Sequence, residues 1–245
     1  MNESAASTRA FVGVTTLFFA WGLITSTIDP LIPTVREVFQ LNYAQALLTQ
    51  FAFFIAYGLV SLPGGMLVAK LGYGRSILVA LVTMIVGCLC FPLATHVESY
   101  SLVLLALFIL ASGITVLQVA ANPLAAALGD RNTSHFRLTL VQAFNSLGTV
   151  VGPSFGSAIM LSGGLFTGAL VSHRAETLRR IDFAYGSIAC LLVLLVIFIW
   201  RMQSRLRAAA PSASGVRRER RRFFQWVQAP PGNRSSRKQP EQRWR

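Results

Sequence analysis

Amide side chains recur at helical spacing inside two long uncharged stretches of this sequence. Gln118 and Asn122 lie four positions apart in one stretch, and Gln142 and Asn145 lie three positions apart in the other. Steps of three and four residues place side chains on one face of an α-helix. Because an amide without a hydrogen-bond partner is costly in the hydrocarbon core of a bilayer, we expect these faces to meet. The sequence therefore predicts that these four amides line a water-filled cavity and bind a solute that carries hydroxyl groups.

Serine and threonine residues extend these polar faces, and for them a second interpretation is open. Hydroxyl groups in membrane helices also form interhelical hydrogen bonds, which contribute about 0.6 kcal/mol on average. Packing is the favoured interpretation for any single Ser or Thr, whereas a polar cavity is favoured for the four amides together. Glycines at four-residue spacing, Gly148, Gly152 and Gly156, indicate close approach of helices and no chemical role.

Asp29, in the segment TIDPLIPTV, is bracketed on both sides by apolar sequence. Removal from water favours the neutral form of a carboxyl group, so Asp29 could carry a proton. The alternative is that Asp29 lies hydrated and inert near the outer membrane surface. An Asp-Pro-Leu motif begins at Asp29 and an Asn-Pro-Leu motif begins at Asn122, and proline loosens a helix by removing a backbone donor. Paired breaks of this kind fit three-helix repeats of inverted topology.

The elements that position these residues follow from runs of sequence without charge. A helix needs about 20 apolar residues to cross a bilayer core of about 30 Å, and each run is near that length or beyond it. Barrel strands would need short alternating segments, and the sequence has none. Charged residues make up 13% of the chain, whereas an average soluble domain has roughly 25%. The sequence predicts an all-α membrane protein with six transmembrane helices, at residues 11–28, 41–69, 76–95, 99–129, 138–172 and 183–200.

Charge divides the chain into an N-terminus at 1–10, a six-helix bundle at 11–201 and a basic tail at 202–245. Residues 1–200 contain nine Lys or Arg against seven Asp or Glu, whereas residues 201–245 contain thirteen against two. The tail has no apolar period and many Arg, Pro, Ser and Gly, so disorder is its expected state. The tail could also bind anionic membrane lipid, and nucleic acid is not expected as a partner.

Basic residues near the ends of the spans predict the orientation of the bundle. Eight lie on the side of the two termini, counting three directly after the last span, and four lie on the other side. Both termini are therefore predicted to be cytoplasmic, with the bundle in the inner (plasma) membrane.

Residues that could form an enzyme site are scattered. The three histidines, His96, His135 and His173, are each isolated near loops, and no His or carboxylate accompanies Cys88 and Cys90. A metal site or a catalytic constellation would need several such groups together. We expect no enzymatic activity, no metal and no cofactor.

Four segments resemble the sugar:proton symporters of the fucose and glucose/galactose branch of the major facilitator superfamily. They are FFAWGLITSTIDPLIP, LTQFAFFIAYGLVSLPGGMLV, ASGITVLQVAANPLAAALG and FRLTLVQAFNSLGTVVGP. The resemblance runs from about Phe11 to Met160, and the AANP and QAFNS blocks are specific to that branch. It implies the N-terminal half of a major-facilitator fold, built from 3+3 inverted repeats, with a small-molecule sugar and a proton as substrates.

The resemblance also implies roles for individual residues. Asp29 matches the acidic residue of the family's first helix, which implies proton coupling. Gln142 and Asn145 match the polar pair of the fifth helix. Gln118 departs from the fucose-type members, which have a glutamate there, and glutamine cannot titrate. Because Gln118 is similar to the glucose/galactose members, the resemblance favours a hexose over fucose and puts a relay of two acids in doubt.

A second departure concerns length, because the family has about twelve helices in two six-helix halves. This sequence resembles the first half alone, and its basic tail reads like an out-of-frame extension. We therefore expect a sugar transporter or an inactive half of one, which could act as a homodimer. The alternative is a non-transporting membrane fragment, or a membrane-anchored subunit whose basic tail binds lipid or a partner.

Overall fold

The computed structural model describes residues 3–27, 31–128, 131–160 and 174–209. Within these ranges the chain forms six long helices, one short helix and a 3-10 turn at Arg131–Thr133. In chain order the helices are α1 (Glu3–Ser26), α2 (Leu31–Val38), α3 (Tyr43–Leu71), α4 (Tyr73–His96), α5 (Tyr100–Ala127), α6 (Ser134–Met160) and α7 (Arg174–Ala209).

Among the described residues, length and composition suit four helices to crossing a membrane. In the described part of the chain, α3, α4, α5 and the Ile181–Gln203 section of α7 are long and apolar enough to cross one. The apolar section of α1, Ala10–Ser26, is shorter. α6 has 27 residues, or about 40 Å at 1.5 Å per residue. The six long helices correspond to the six predicted spans, and the prediction of an all-α membrane fold is confirmed.

Local signals fix where α3 begins and ends. The Asn42 side-chain oxygen accepts a hydrogen bond from the Gln45 backbone N–H at 2.8 Å, and Gln45 Oε1 accepts one from the Asn42 N–H at 3.0 Å. This reciprocal pair is a capping box, which satisfies backbone donors at a helix start. Gly72 alone separates α3 from α4, with a φ of +78° that favours a residue without a Cβ. Short connections make consecutive helices antiparallel neighbours.

The packing of the helices follows the predicted 3+3 arrangement. α1 packs on α6, α3 packs on α5, and α4 packs on both α5 and α7. In the predicted repeats, α1, α3 and α4 correspond to α5, α6 and α7, in that order. The contact between α1 and α6 then corresponds to the contact between α5 and α3, and the contact between α4 and α7 corresponds to itself. Two repeats of three helices require this relation. The helices meet around a core of large side chains that are almost completely buried, among them Phe18, Leu110, Met84, Phe91 and Tyr185.

Glycine brings the backbones of α1 and α6 together. A Cβ at Gly148 would lie 2.8 Å from the backbone nitrogen of Leu23, and a Cβ at Gly152 would lie 2.6 Å from the Leu23 carbonyl oxygen. Both distances are shorter than a real Cβ tolerates, so only glycine permits this approach. The predicted packing role is confirmed for Gly148 and Gly152. The surroundings of Gly156 are not among those that the structure describes.

The chain divides into two compact units, Met1–Ala210 and Pro211–Arg245. The second unit lies outside the described residues, so the predicted disorder and lipid binding of the tail stay predictions.

The last helix, α7, continues to Ala209, past the predicted end of the bundle at Arg201. This final section contains Arg201, Arg205 and Arg207, and positive charge near a helix C-terminus is favourable.

Candidate functional site

The first link of the site joins α5 to α3. Gln118 Nε2 donates a hydrogen bond to the Tyr57 hydroxyl oxygen at 2.9 Å, and both side chains are half-buried. Tyr57 is held in place by the Phe53 ring, whose centroid lies 5.4 Å away at an angle of 49°. The distance between Gln118 and Tyr57 is that of an ordinary N–H···O bond. The amide predicted on α5 therefore has its partner on α3, which satisfies one of its two N–H donors.

The second link joins α5 to α6. Gln142 Nε2 donates to Asn122 Oδ1 at 3.4 Å, and both amides are half-buried. This distance exceeds the usual range for N–H···O bonds, so the contact is weak. Each amide has two donors and a carbonyl acceptor, and a single weak bond leaves most of that capacity for other partners. The predicted meeting of Asn122 and Gln142 occurs in the structure.

Asn145 lies where α6 meets α1. Its Oδ1 is buried and has no hydrogen-bond partner in the described part of the chain. Gly22 on α1 makes room for it, since a Cβ there would lie 2.9 Å from Asn145 Oδ1 and closer still to the Asn145 carbonyl oxygen. A buried acceptor without a partner is uncommon in proteins and calls for an explanation. An acceptor of this kind is suited to a hydroxyl group of a bound solute.

Trp21, the residue before Gly22, carries a second buried group without a partner. Its indole Nε1 has no acceptor among the described residues. The ring packs edge-on against Phe18, with centroids 5.4 Å apart and planes at 65°. Within the described residues, α1 thus carries an unsatisfied donor on Trp21, and α6 carries an unsatisfied acceptor on Asn145. A hydroxyl group both donates and accepts, so it could satisfy either one.

Three hydroxyl side chains on α1 and α5 bond their own helices. Ser112 donates to the Phe108 carbonyl oxygen at 2.7 Å, and Thr115 donates to the Ala111 carbonyl oxygen at 2.8 Å. Thr25 on α1 likewise donates to the Trp21 carbonyl oxygen, at 2.5 Å. Each hydroxyl bonds the preceding turn of its own helix, a common local arrangement. Each of these three residues therefore uses its hydroxyl hydrogen within its own helix.

Asp29 lies outside the described residues, between the end of α1 and the start of α2. Its predicted role in proton coupling stays a prediction. The chain before it ends with Thr27, whose hydroxyl donates to the Ile24 carbonyl oxygen at 2.6 Å. Asp29 thus occurs in the sequence directly between two helices, next to the described end of α1.

Three residues of interest were not singled out as site residues from the sequence. Gly22 and Ser26 form a small-residue pair at a four-residue step, and that signal could have identified the α1 side of the seam. Asp182 follows Arg179 and Arg180 in the sequence, which gives it the pattern of a loop residue. In the structure, Asp182 is half-buried and accepts a hydrogen bond from Thr95 Oγ1 at 2.5 Å.

Comparison with known proteins gives a consistent result. The sequence profile of the Major Facilitator Superfamily matches residues 10–240. The glucose/galactose transporter of Brucella abortus is 49% identical over 188 residues, which cover 77% of this chain and 44% of the relative. The L-fucose-proton symporter of Escherichia coli is 38% identical over 166 residues, which cover 66% of this chain and 38% of the relative. The chain thus spans less than half the length of these relatives.

Solved structures agree with the sequence relatives. The E. coli fucose:proton symporter FucP superimposes with a TM-score of 0.69 at 29% identity, over 80% of this chain and 49% of that protein. A structure of FucP in the outward conformation gives a TM-score of 0.70 at 30% identity, over 90% of this chain and 58% of that protein. The partial coverage fits one half of the transporter fold.

Proposed function

Because this chain belongs to the Major Facilitator Superfamily, we propose that it transports a sugar across a membrane together with a proton. The sugar is a hexose such as glucose or galactose, with fucose as the second candidate. The observation that carries the proposal is a set of polar groups on the predicted helices: Trp21 Nε1 on α1 and Asn145 Oδ1 on α6 are buried without partners among the described residues, and the amides of α5 and α6 are bonded to each other. Names of relatives support the same function, since they include a glucose/galactose transporter and an L-fucose-proton symporter.

Sugar binding in this proposal uses the amides of two helices. Gln118 and Asn122 on α5 and Gln142 and Asn145 on α6 bond the hydroxyl groups of the sugar. The 3.4 Å contact between Gln142 and Asn122 is easily exchanged for bonds to a ligand, since little energy is lost with it. The stronger bond from Gln118 to Tyr57 fixes the orientation of the Gln118 amide. An uncharged polar site of this kind suits an uncharged sugar.

Proton coupling in this proposal belongs to Asp29. A carboxyl group near the end of a membrane helix can bind and release a proton as its contact with water changes. Gln118 cannot do so, which distinguishes this chain from the fucose-type pattern and favours the hexose. The Asp29→Asn variant should lose proton-driven accumulation of sugar and keep sugar exchange, which needs no net proton movement.

Alternating access requires one half of a transporter to move against another. We propose that this six-helix half acts with a second half, which is another copy of this chain if the chain works alone. The bundle lies in the inner membrane with both termini cytoplasmic, and the segment 202–245 is a cytoplasmic tail. These statements depend on the distribution of basic residues in the sequence.

Uptake of labelled glucose and galactose into proteoliposomes tests the transport proposal, and equilibrium binding of the same sugars tests the site. Gln142→Ala and Asn145→Ala should each weaken binding about fivefold, since a neutral hydrogen bond contributes about 1 kcal/mol. Gln203→Ala is the matched control, because Gln203 is a half-buried amide on α7. Equal affinities in all three variants would contradict the assignment of the site.

The excess of basic residues in the tail favours one alternative function. Thirteen Lys or Arg against two Asp or Glu in residues 201–245 could bind the chain's tail to anionic lipid or to a partner without transport. Co-sedimentation of a tail peptide with vesicles of anionic and of zwitterionic lipid tests this function. Salt-sensitive binding to the anionic vesicles, together with no sugar binding by the whole chain, would favour the alternative.

A further inference from the structure

Asp182 lies at the seam between α4 and α7, apart from the amides on α5 and α6. It is the second residue of the apolar section Ile181–Gln203 of α7. The Thr95 hydroxyl, on α4, lies 2.5 Å from Asp182 Oδ1 and 2.9 Å from the carbonyl oxygen of Pro92. Among the carboxylates whose side chains the structure describes, Glu37 and Glu98 are exposed and Asp182 is half-buried. Asp182 is therefore the described carboxylate that is most removed from water.

The geometry around Thr95 accommodates both protonation states of Asp182. Thr95 has one hydroxyl hydrogen, and two acceptors lie within its reach. When Asp182 is ionised, Thr95 donates to the carboxylate. When Asp182 is protonated, the acid donates to Thr95 Oγ1, and the Thr95 hydrogen turns to the Pro92 carbonyl oxygen. In both arrangements the Thr95 hydrogen has an acceptor, and no heavy atom has to move.

Among the described residues, one other titratable group near Asp182 is buried: Tyr185, one turn further along α7, whose ring stacks on Phe91 of α4. The remaining ones near this end of the bundle lie on the surface. α4 contributes His96, α2 contributes Arg36 and Glu37, and α7 itself contributes Arg179, all of them exposed. At this end, the described parts of α1 and α6 contribute no charged residue. Asp29, which follows α1 in the sequence, lies outside the described residues. Thr95 is thus the hydrogen-bonding side chain that Asp182 contacts in the described part of the chain.

We infer that Asp182 is a second proton-binding residue of this protein, with Thr95 as its positioning partner. A proton from water binds the Asp182 carboxylate, and the Thr95 hydrogen transfers its bond to the Pro92 carbonyl oxygen. This change replaces a hydrogen bond to a charged group with one between neutral groups, which is roughly half as strong. Proton uptake therefore weakens the bond between α4 and α7. A titratable carboxyl at this seam adds a proton site to a chain that has glutamine at position 118.

Infrared difference spectroscopy tests the proton site without any transport. The protein, in the Asp29→Asn background, is titrated from about pH 8 to about pH 4, a range that spans ordinary carboxyl titration. We expect a carbonyl band of a protonated acid that disappears in Asp182→Asn and remains in Glu37→Gln, an exposed acid near the same end. An unchanged difference spectrum in Asp182→Asn would overturn the inference.

Thr95→Val provides the second variant, which keeps the acid and removes its hydrogen-bond partner. We expect the Asp182 band to persist in Thr95→Val and to move in frequency, because the hydroxyl group of the protonated acid has lost its acceptor. If Asp182→Asn does not fold, the frequency of the band in Thr95→Val still shows whether Asp182 is the acid that binds the proton. A band that neither moves nor changes in Thr95→Val would mean that the titrating acid is another residue.

The transport consequence rests on the proposed function and is measured separately. In proteoliposomes, Asp182→Asn should lower the sugar-driven proton uptake at least twofold relative to the sugar uptake of the same sample. If the unmodified chain transports no sugar, the proposed function fails, while the infrared result still decides whether Asp182 binds a proton. If sugar is transported and the proton-to-sugar ratio is unchanged in Asp182→Asn, the coupling role is wrong.

Discussion

The α1–α6 seam predicts that a single methyl group at Gly148 destabilises the bundle. In Gly148→Ala, the new Cβ would lie 2.8 Å from the backbone nitrogen of Leu23 and closer still to the Phe19 carbonyl oxygen. Backbone atoms cannot rotate away as side chains do, so the helices must separate. The matched control is Gly186→Ala on α7, where a Cβ would meet nothing within 4 Å.

The expected size follows from two opposing contributions. Replacing glycine by alanine inside a helix stabilises by about 1 kcal/mol. Overpacking costs about 1–3 kcal/mol, and the higher value applies here because the contacts are with backbone. Gly148→Ala should therefore lose about 2 kcal/mol, whereas Gly186→Ala should gain up to about 1 kcal/mol. At about 2–4 °C per kcal/mol, the two variants should melt about 6–12 °C apart.

Reactivity of a buried thiol measures this difference in detergent solution. Cys88 is completely buried on α4, while Cys90 is half-buried and Cys190 is exposed. In a background with Cys90→Ser and Cys190→Ser, a fluorogenic maleimide reports on unfolding through Cys88 alone. Should Gly148→Ala and Gly186→Ala melt at the same temperature, the close backbone contact between α1 and α6 would be refuted.

Three further variants test other parts of the bundle by the same melting assay. Tyr185→Phe should leave the stability unchanged or raise it by up to about 1 kcal/mol, since the buried Tyr185 hydroxyl has no partner in the described residues. A clear loss of stability would show that this hydroxyl does have a hydrogen-bond partner. Arg137→Gln should cost about 2 kcal/mol, because Arg137 Nη2 donates to the Ala126 carbonyl oxygen at 2.7 Å, whereas exposed Arg75→Gln should be neutral. Asn42→Ala should cost about 1 kcal/mol through loss of the capping box, and an unchanged melting temperature would argue against that box.

The long helices could be predicted from the sequence because charge is excluded from membrane spans and marks their ends. The short helix α2 was not predicted. Its sequence, LIPTVREV, contains Arg36 and Glu37 and therefore lacks the uncharged run that identifies a span. A helix of eight residues also carries too few positions for a reliable period. The length of uncharged runs thus predicts membrane spans, but it does not predict short helices that contain charged residues.

The candidate site could be predicted in part. Helical spacing placed Asn122 and Gln142 on polar faces, and the structure brings them together. Spacing cannot show whether a hydroxyl bonds its own helix, as Thr115 does, because both arrangements use the same sequence pattern. Asp182 was not predicted as a buried residue, because the arginines that precede it are typical of a loop. Its partner, Thr95, lies 87 residues away in the chain. Local sequence carries no signal for such a contact.

The two seams that the repeat relates to each other, α1–α6 and α3–α5, tolerate added volume differently. A methyl group on Gly64 of α3 would lie 3.4 Å from Val116 Cγ2, at the edge of ordinary contact, whereas the same group on Gly148 would collide with a main chain. A small side chain at Gly64 therefore fits between α3 and α5 without moving either backbone. The α1–α6 seam has no such room, so even the smallest side chain added there must push two main chains apart.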